Sequence, residues 1–189
     1  MAAMFARDQT FLSGSVLLAQ ANLQTAAMPV FTLSSLQEIE PVAWDALLVG
    51  AQPFMRHAFL SALEDSGSGG RSSGWLPAHR VLRDTSGELL AAMPAYVKQH
   101  SYGEYVFDWG WADAFRRHGR RYYPKLVAAV PFTPVTGPRL LGSDATVRKR
   151  LVEAALERVA DGSHSSLHVL FTDDDDARVL DATGLVARH

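Results

Sequence analysis

A chain of 189 residues, 48% hydrophobic and 20% charged, has the make-up of one globular domain, and about 70% of its unfolded surface can be buried at this size. Its formal net charge of −2 argues against wholesale binding to nucleic acid or anionic membranes, while leaving room for a local basic patch. Without cysteine it has no disulfide, no thiolate metal ligand and no cysteine nucleophile, and no apolar run approaches the ~20 residues that span a bilayer.

Residues 1–27 contain a short apolar stretch, Ser15 to Ala21, preceded by a single basic residue, Arg7, which Asp8 balances. The positive region of a secretory signal is missing, so this segment is expected to be a loose extension, with Met28 as an alternative start. Val30 to Leu33 reads as a short strand. Pro41 opens a helix to Leu48, proline being favoured at a first helical position. Phe54 to Leu63 is a second helix, and the Ser/Gly-rich run 66–74 is a loop. His79 to Arg83 and Leu89 to Lys98 are expected to pair as a hairpin around Asp84-Thr85-Ser86-Gly87, where glycine supplies the positive φ. Tyr105 to Trp109 reads as a third, aromatic strand, followed by a helix from Trp111 to His118.

Lys125 to Val130 is a nearly continuous apolar strand of the kind buried on both faces. A loop with two prolines and two glycines follows, 132–142. Ser143 or Asp144 then caps the longest predicted helix, to about Ala160, with Val147, Leu151, Ala155 and Val159 recurring on one face. Leu167 to Phe171 is a strand, Asp173 to Asp176 start a helix that ends near Gly184, and Leu185 to Ala187 begin a strand. Strands alternating with helices after a hairpin predict an α/β mixed sheet flanked by helices. The last strand has no successor to cover its edge, so the fold is expected to be incomplete at its C-terminus.

The chemistry-bearing residues concentrate in two places. Asp108-Trp109-Gly110-Trp111-Ala112-Asp113 packs two indoles and two carboxylates into six positions, suited either to a pocket with apolar walls or to core and capping roles. Asp108 is the candidate catalytic base, with Trp109, Trp111 and Asp113 as binding residues. The loop after the buried strand, with Thr133, Thr136, Gly137 and Arg139, leads into a helix whose N-terminus suits an anion. Arg148, Lys149 and Arg150 in that helix oppose its dipole, which points to a phosphate or carboxylate site; a solvated helix surface is the plainer alternative. The run 116–125, ending at Lys125, is basic with interleaved aromatics, read as a solvated loop or as a patch for an anionic ligand. His164 and His168 do not share a helix, so no metal site is predicted.

Several strings resemble one bacterial family: Pro53 to Gly67, Ser101 to Trp109, Tyr122 to Val127, and Val130 to Leu141. Together they are similar to the FemAB-like peptidoglycan biosynthesis/recognition proteins, which have the GNAT acyltransferase fold. The resemblance runs from about Met28 to the end. It implies that residues 28–189 are the first, truncated GNAT-like half of a two-half protein. It implies transfer of an acyl or aminoacyl group to an amine in cytoplasmic cell-wall metabolism. The donor would be acyl-coenzyme A or aminoacyl-tRNA, the acceptor a small molecule or peptidoglycan precursor, and the partner the missing C-terminal half. Here the loop departs from the usual pyrophosphate cradle, because Pro138 after Gly137 removes an N–H donor. No cofactor is therefore expected in this half. The competing reading is a non-catalytic module recognising an anionic glycan, peptide or nucleic acid.

Overall fold

The computed structural model describes residues 3–5, 28–50, 52–106 and 108–188. Strand β1 is Ala3–Phe5 and β2 is Val30–Leu33. Helix α1 is Pro41–Asp45 and α2 is His57–Asp65, preceded by a 3₁₀ turn at Pro53–Met55. Strands β3 (Leu76–Pro77), β4 (His79–Arg83), β5 (Leu89–Met93) and β6 (Ala95–Lys98) follow. Then come α3 (Trp109–Arg117), β7 (Lys125–Ala128), α4 (Ala145–Ala160), β8 (Leu167–Leu170), α5 (Asp174–Asp181) and β9 (Val186–Arg188).

These strands form two sheets, one in the order β3-β6-β7-β8-β1-β9 and one in the order β2-β4-β5. The β7–α4–β8 unit is the parallel crossover, and the other pairings are antiparallel. Leu89 to Lys98, expected as one strand, divides at Pro94. Proline cannot donate to a ladder, so the chain leaves the smaller sheet there and enters the larger one. Within the segment expected as an extension, Ala3–Phe5 forms a strand between β8 and β9, so β9 has a neighbour on one side and is the sheet's edge strand. Residues 6–27 lie outside the described residues.

Helix α4 follows its sequence pattern closely. Asp144 caps it, its carboxylate accepting from the N–H groups of Thr146 and Val147 at 2.7 and 3.2 Å. Val147, Leu151 and Ala155 are buried against Leu126, Ala128, Leu167 and Val169, while Val159 is half-buried at the margin. Alternation along the strands assigns the opposite face: Tyr96 and Lys98 on β6, Lys125 and Val127 on β7, His168 and Leu170 on β8. Tyr96, Val127 and Leu170 there form a small aromatic-aliphatic core with Trp75. A third core under α1 and α2 is fastened by Glu64, which accepts from Ser35 Oγ at 2.7 Å, Leu36 N at 3.0 Å and the His79 ring at 2.8 Å.

The expected strand 105–109 is replaced by irregular chain and the start of α3. Tyr105 takes φ 56°, a left-handed value that no strand continues. Phe107 lies outside the described residues. Gly103, at φ 80°, packs so tightly that a Cβ would meet the Phe132 ring at 2.5 Å.

Candidate functional site

The face of the larger sheet opposite α4 carries an unusual burden. Antiparallel register places Lys98 directly opposite Lys125, and both are fully buried. Like charges directly opposite on neighbouring strands repel, and each buried ammonium costs desolvation energy, so both need counter-charges. The segment between β6 and α3 supplies them. Lys125 Nζ donates to Glu104 Oε2 at 2.8 Å, Asp108 Oδ2 at 2.5 Å and Ser101 Oγ at 2.7 Å. Lys98 Nζ donates to Tyr102 O at 2.9 Å and lies 3.9 Å from the centroid of the Trp75 ring. Two lysines and two carboxylates make the cluster neutral as a whole.

Within it the protonation equilibria diverge. Burial pushes the Glu104 carboxyl up, with Lys125 working against the shift. Burial also acts to raise Asp108, but the Lys125 ammonium and hydrogen bonds from Lys125 and Tyr122 outweigh it and hold Asp108 below the usual aspartate range. Lys98 is brought down to about 8 by burial and by Lys125, against the pull of Glu104. His168 is held neutral by burial and the nearby lysine. Glu104, Asp108 and His168 place ligand-capable atoms within 4.8 Å of one another, as a metal site would. Lys125 already stands between the two carboxylates as the cation, so a divalent ion there would meet a fixed positive charge.

Two tyrosines connect this cluster to the surface. Tyr122 donates its hydroxyl to Asp108 Oδ2 at 2.7 Å, and Tyr123 shares a 2.8 Å hydrogen bond with Ser101. Their other sides, with Ala112, Asp113, Arg116, Arg120 and Arg121, line an open hollow of about 430 Å³. Asp113 pairs with Arg116 at 2.5 Å and Arg117 at 3.4 Å. Among the described residues neither Arg120 nor Arg121 has an acidic partner, so the hollow is net positive. Arg116 and Arg117 suit the negative end of α3, but Arg120 and Arg121 lie beyond it.

The aromatic-acidic motif and the end of the basic run thus meet in space. Asp108 and Lys125 are in contact, Asp113 lines the hollow, and Trp109 and Trp111 are exposed by 55% and 42%. The guanidinium of Arg188 on β9 lies 4.7 Å from the Trp111 ring centroid.

The loop before α4 is separate from this constellation, and it does not place Arg139 as the anion reading requires. Arg139 is 1% exposed. Its Nε donates to Leu170 O at 2.9 Å, its Nη1 to Pro138 O at 2.9 Å and its Nη2 to Val135 O at 2.5 Å. Its backbone N–H donates to Asp176, which also accepts from Leu140 N at 2.9 Å and from Arg148 Nη1 at 3.1 Å. Gly137 N donates to Phe171 O at 3.0 Å, Thr133 Oγ1 donates to Pro131 O at 3.0 Å, and Thr136 is exposed. The physical reason is that Leu170 O at the end of β8 and two carbonyls of Arg139's own loop, Val135 O and Pro138 O, needed donors, and the guanidinium supplies them. Lys98, Ser101 and Glu104 were missed in the sequence reading. Their one signal is a lysine at an inward position of each of two strands, which carries meaning only once the register is known.

Among the described residues no helix is long and apolar enough to cross a membrane. No curated protein and no solved structure shows significant similarity to the chain. A family model described as peptidoglycan biosynthesis/recognition matches residues 35–189, a span that takes in the charge cluster, the hollow and the Arg139 loop. On that match, the chain belongs to the FemAB-like family of peptidoglycan biosynthesis/recognition proteins.

Proposed function

We propose that this chain is the acceptor-binding part of an enzyme that moves an acyl or aminoacyl group onto an amine of a peptidoglycan precursor. The observation that carries it is the positive hollow at Arg116, Arg120 and Arg121, floored by the tyrosines that hydrogen-bond the buried Lys125–Asp108–Glu104 cluster. Muropeptides are anionic through their carboxylates, and guanidinium groups bind carboxylates bidentately. Asp108, kept ionised by Lys125 and linked to the hollow through Tyr122, is the carboxylate positioned to take the proton that the acceptor amine loses. The element order of strand, two helices, antiparallel hairpin, strand, loop, helix and parallel strand supports a GNAT-like half.

The donor, acyl-coenzyme A or aminoacyl-tRNA, is assigned to a second, similar half. Leu170 O and Phe171 O, past the end of the β7–β8 ladder, are already engaged by Arg139 and Gly137, and Pro138 offers no N–H. Such donors are intracellular, which supports a reaction in the cytoplasm. A second reading, recognition without catalysis, draws on the 2% exposure of Asp108 and its lowered pKa, both of which weaken it as a base.

Incubating the protein, alone and joined to its downstream half, with labelled donors and an amine-bearing muropeptide separates the two. Turnover by the joined protein that is lost in Asp108→Asn supports the transferase. Muropeptide binding without turnover supports recognition alone. Absence of both binding and turnover refutes both readings.

A further inference from the structure

The buried charge cluster is arranged in a way that stability alone does not require. Glu104 Oε1 and Asp108 Oδ1 are buried and, among the described residues, have no hydrogen-bond partner. An unmet buried carboxylate oxygen carries a desolvation cost, and a proton on the pair lowers it. The other two carboxylate oxygens lie on one continuous chain from the hollow. Tyr122 lines the hollow and donates to Asp108 Oδ2 at 2.7 Å, and Lys125 Nζ donates to the same oxygen at 2.5 Å and to Glu104 Oε2 at 2.8 Å. Having given its hydrogen to Asp108, the Tyr122 oxygen keeps lone pairs that can accept another. A second chain, from Tyr123 through Ser101 to Lys125 at 2.8 and 2.7 Å, ends on the same ammonium but contains no carboxylate. Asp108 and Glu104 are 2% and 1% exposed, so these hydroxyls are what connects them to the hollow.

We propose that Glu104 is the terminus of a buried proton relay, in which a proton released by the acceptor amine in the hollow passes through Tyr122, Asp108 and Lys125. The inference rests on the transferase reading above, to which it adds the group on which the proton comes to rest. As the amine nitrogen bonds to the acyl carbon, the thioester or ester bond of the donor breaks and the leaving group departs with the electron pair. The amine's surplus proton moves to Tyr122 Oη while the hydroxyl proton of Tyr122 moves to Asp108 Oδ2. Lys125 gives a proton to Glu104 Oε2 and takes one back from Asp108. Asp108 is then again a carboxylate and Lys125 an ammonium, and Glu104 carries the proton until it returns to the leaving group or to solvent. The direction follows from the surroundings. Burial acts to raise both carboxyls; on Glu104 it prevails over Lys125, whereas on Asp108 the Lys125 ammonium and the hydrogen bonds from Lys125 and Tyr122 prevail, so a proton on the pair runs downhill to Glu104. The other titratable groups around the pair are Lys98 of β6, whose charge favours an ionised Glu104 ready to receive, His168 of β8, held neutral, His100 and Tyr123. Glu104 touches no substrate; it acts through Lys125, Asp108 and Tyr122.

The whole chain tests the direction of the relay without any substrate. The side-chain carboxyl carbon signals of Glu104 and Asp108, assigned through bonds in the wild type, are followed by NMR as pH falls. Glu104 is expected to take the first proton while Asp108 stays ionised to lower pH. Asp108 protonating first, or together with Glu104, overturns the relay even if the chain is part of a transferase. Turnover is measured in the protein joined to its downstream half, with labelled donors and an amine-bearing muropeptide. Glu104 must be ionised to receive a proton, so the wild-type rate should fall as pH drops through the value at which its carboxyl titrates. Glu104→Gln should lower kcat about tenfold or more with KM unchanged and move that acid limb to lower pH, and Glu104→Asp should restore part of the loss. A purely structural role would change the urea midpoint and leave the limb in place. The wild-type titration decides the question even where Glu104→Gln fails to fold. Undiminished kcat in Glu104→Gln overturns the relay and leaves the transferase reading standing; absence of turnover by the wild type removes both.

Discussion

Replacing Lys125 by methionine keeps the aliphatic stem and removes the ammonium. The structure sets the expected cost. The side chains of Lys125, Glu104 and Asp108 are 0%, 0% and 3% exposed, so water cannot substitute for the lost donor. Removing one member of a buried ion pair costs about 3–5 kcal/mol, chiefly through the charge left without a partner. Here two carboxylates lose a partner, while Lys98 is relieved of a like charge opposite it and remains as partial compensation. A penalty of about 3–5 kcal/mol at neutral pH is therefore expected, a fall in Tm of about 8–12 °C for a chain of this length. The penalty should depend on pH. In the wild type Asp108 has a lowered pKa, so its contribution is present above the unfolded aspartate value and is lost as pH falls through the folded one. In Lys125→Met both carboxylates titrate upward, so the variant gains stability as pH falls and the gap to wild type closes. Urea unfolding followed by tryptophan fluorescence between about pH 4.5 and 8 measures both quantities. The triple variant Glu104→Gln/Asp108→Asn/Lys125→Met should recover much of the loss. A Lys125→Met protein within about 0.5 kcal/mol of wild type at neutral pH, or one with a pH-independent penalty, would refute the reasoning.

Further outcomes follow from other parts of the fold. Leu151→Ala, on the fully buried face of α4, should cost about 2–5 kcal/mol in the same urea assay. Asp176 has a carboxyl raised to about 6, mainly by burial, against donors from Arg139 and Leu140. Its folded value lies above its unfolded one, so its contribution is full below the unfolded pKa of about 3.9 and is lost as pH rises through the folded value. Asp176→Asn should remove that slope, changing the wild-type-minus-variant difference by up to about 3 kcal/mol between acid and neutral pH. Arg139→Met should destabilise the chain without weakening muropeptide binding, because its donors serve Leu170, Pro138 and Val135; a selective loss of binding would contradict that placement. Inorganic pyrophosphate should shift the amide signals of Arg120 and Arg121 and leave 144–150 unmoved, since Asp144 already caps α4.

The elements that a reader of the sequence can place are those specified by local rules. Helix α4 announces itself through a capping aspartate and a repeating apolar face, and the hairpin through Asp84 and Gly87; both appear as expected. The family is likewise legible: the strings that resemble it lie within residues 35–189, which the family model matches. Where local signals misled, a neighbour in space was the cause. Aromatic residues 105–109 have strand propensity, yet the tight contact of Gly103 with Phe132 and the positive φ of Tyr105 turn that chain into a loop. Leu89 to Lys98 is one apolar run in sequence and two strands in different sheets, because Pro94 cannot donate to a ladder. The candidate site shows the same division. Asp108 and Lys125 were selected for their chemistry, but that they touch, that Lys98 faces Lys125, and that Glu104 completes the balance all depend on the β6–β7 register. Arg139 looked like an anion ligand because it precedes a helix, and the tertiary structure instead used it to satisfy Leu170 O at the end of β8 and two carbonyls of its own loop. Sequence determines which groups are present and the local conformations they prefer; the pairing of distant strands decides which charges must share a water-free space, and therefore which of them need each other.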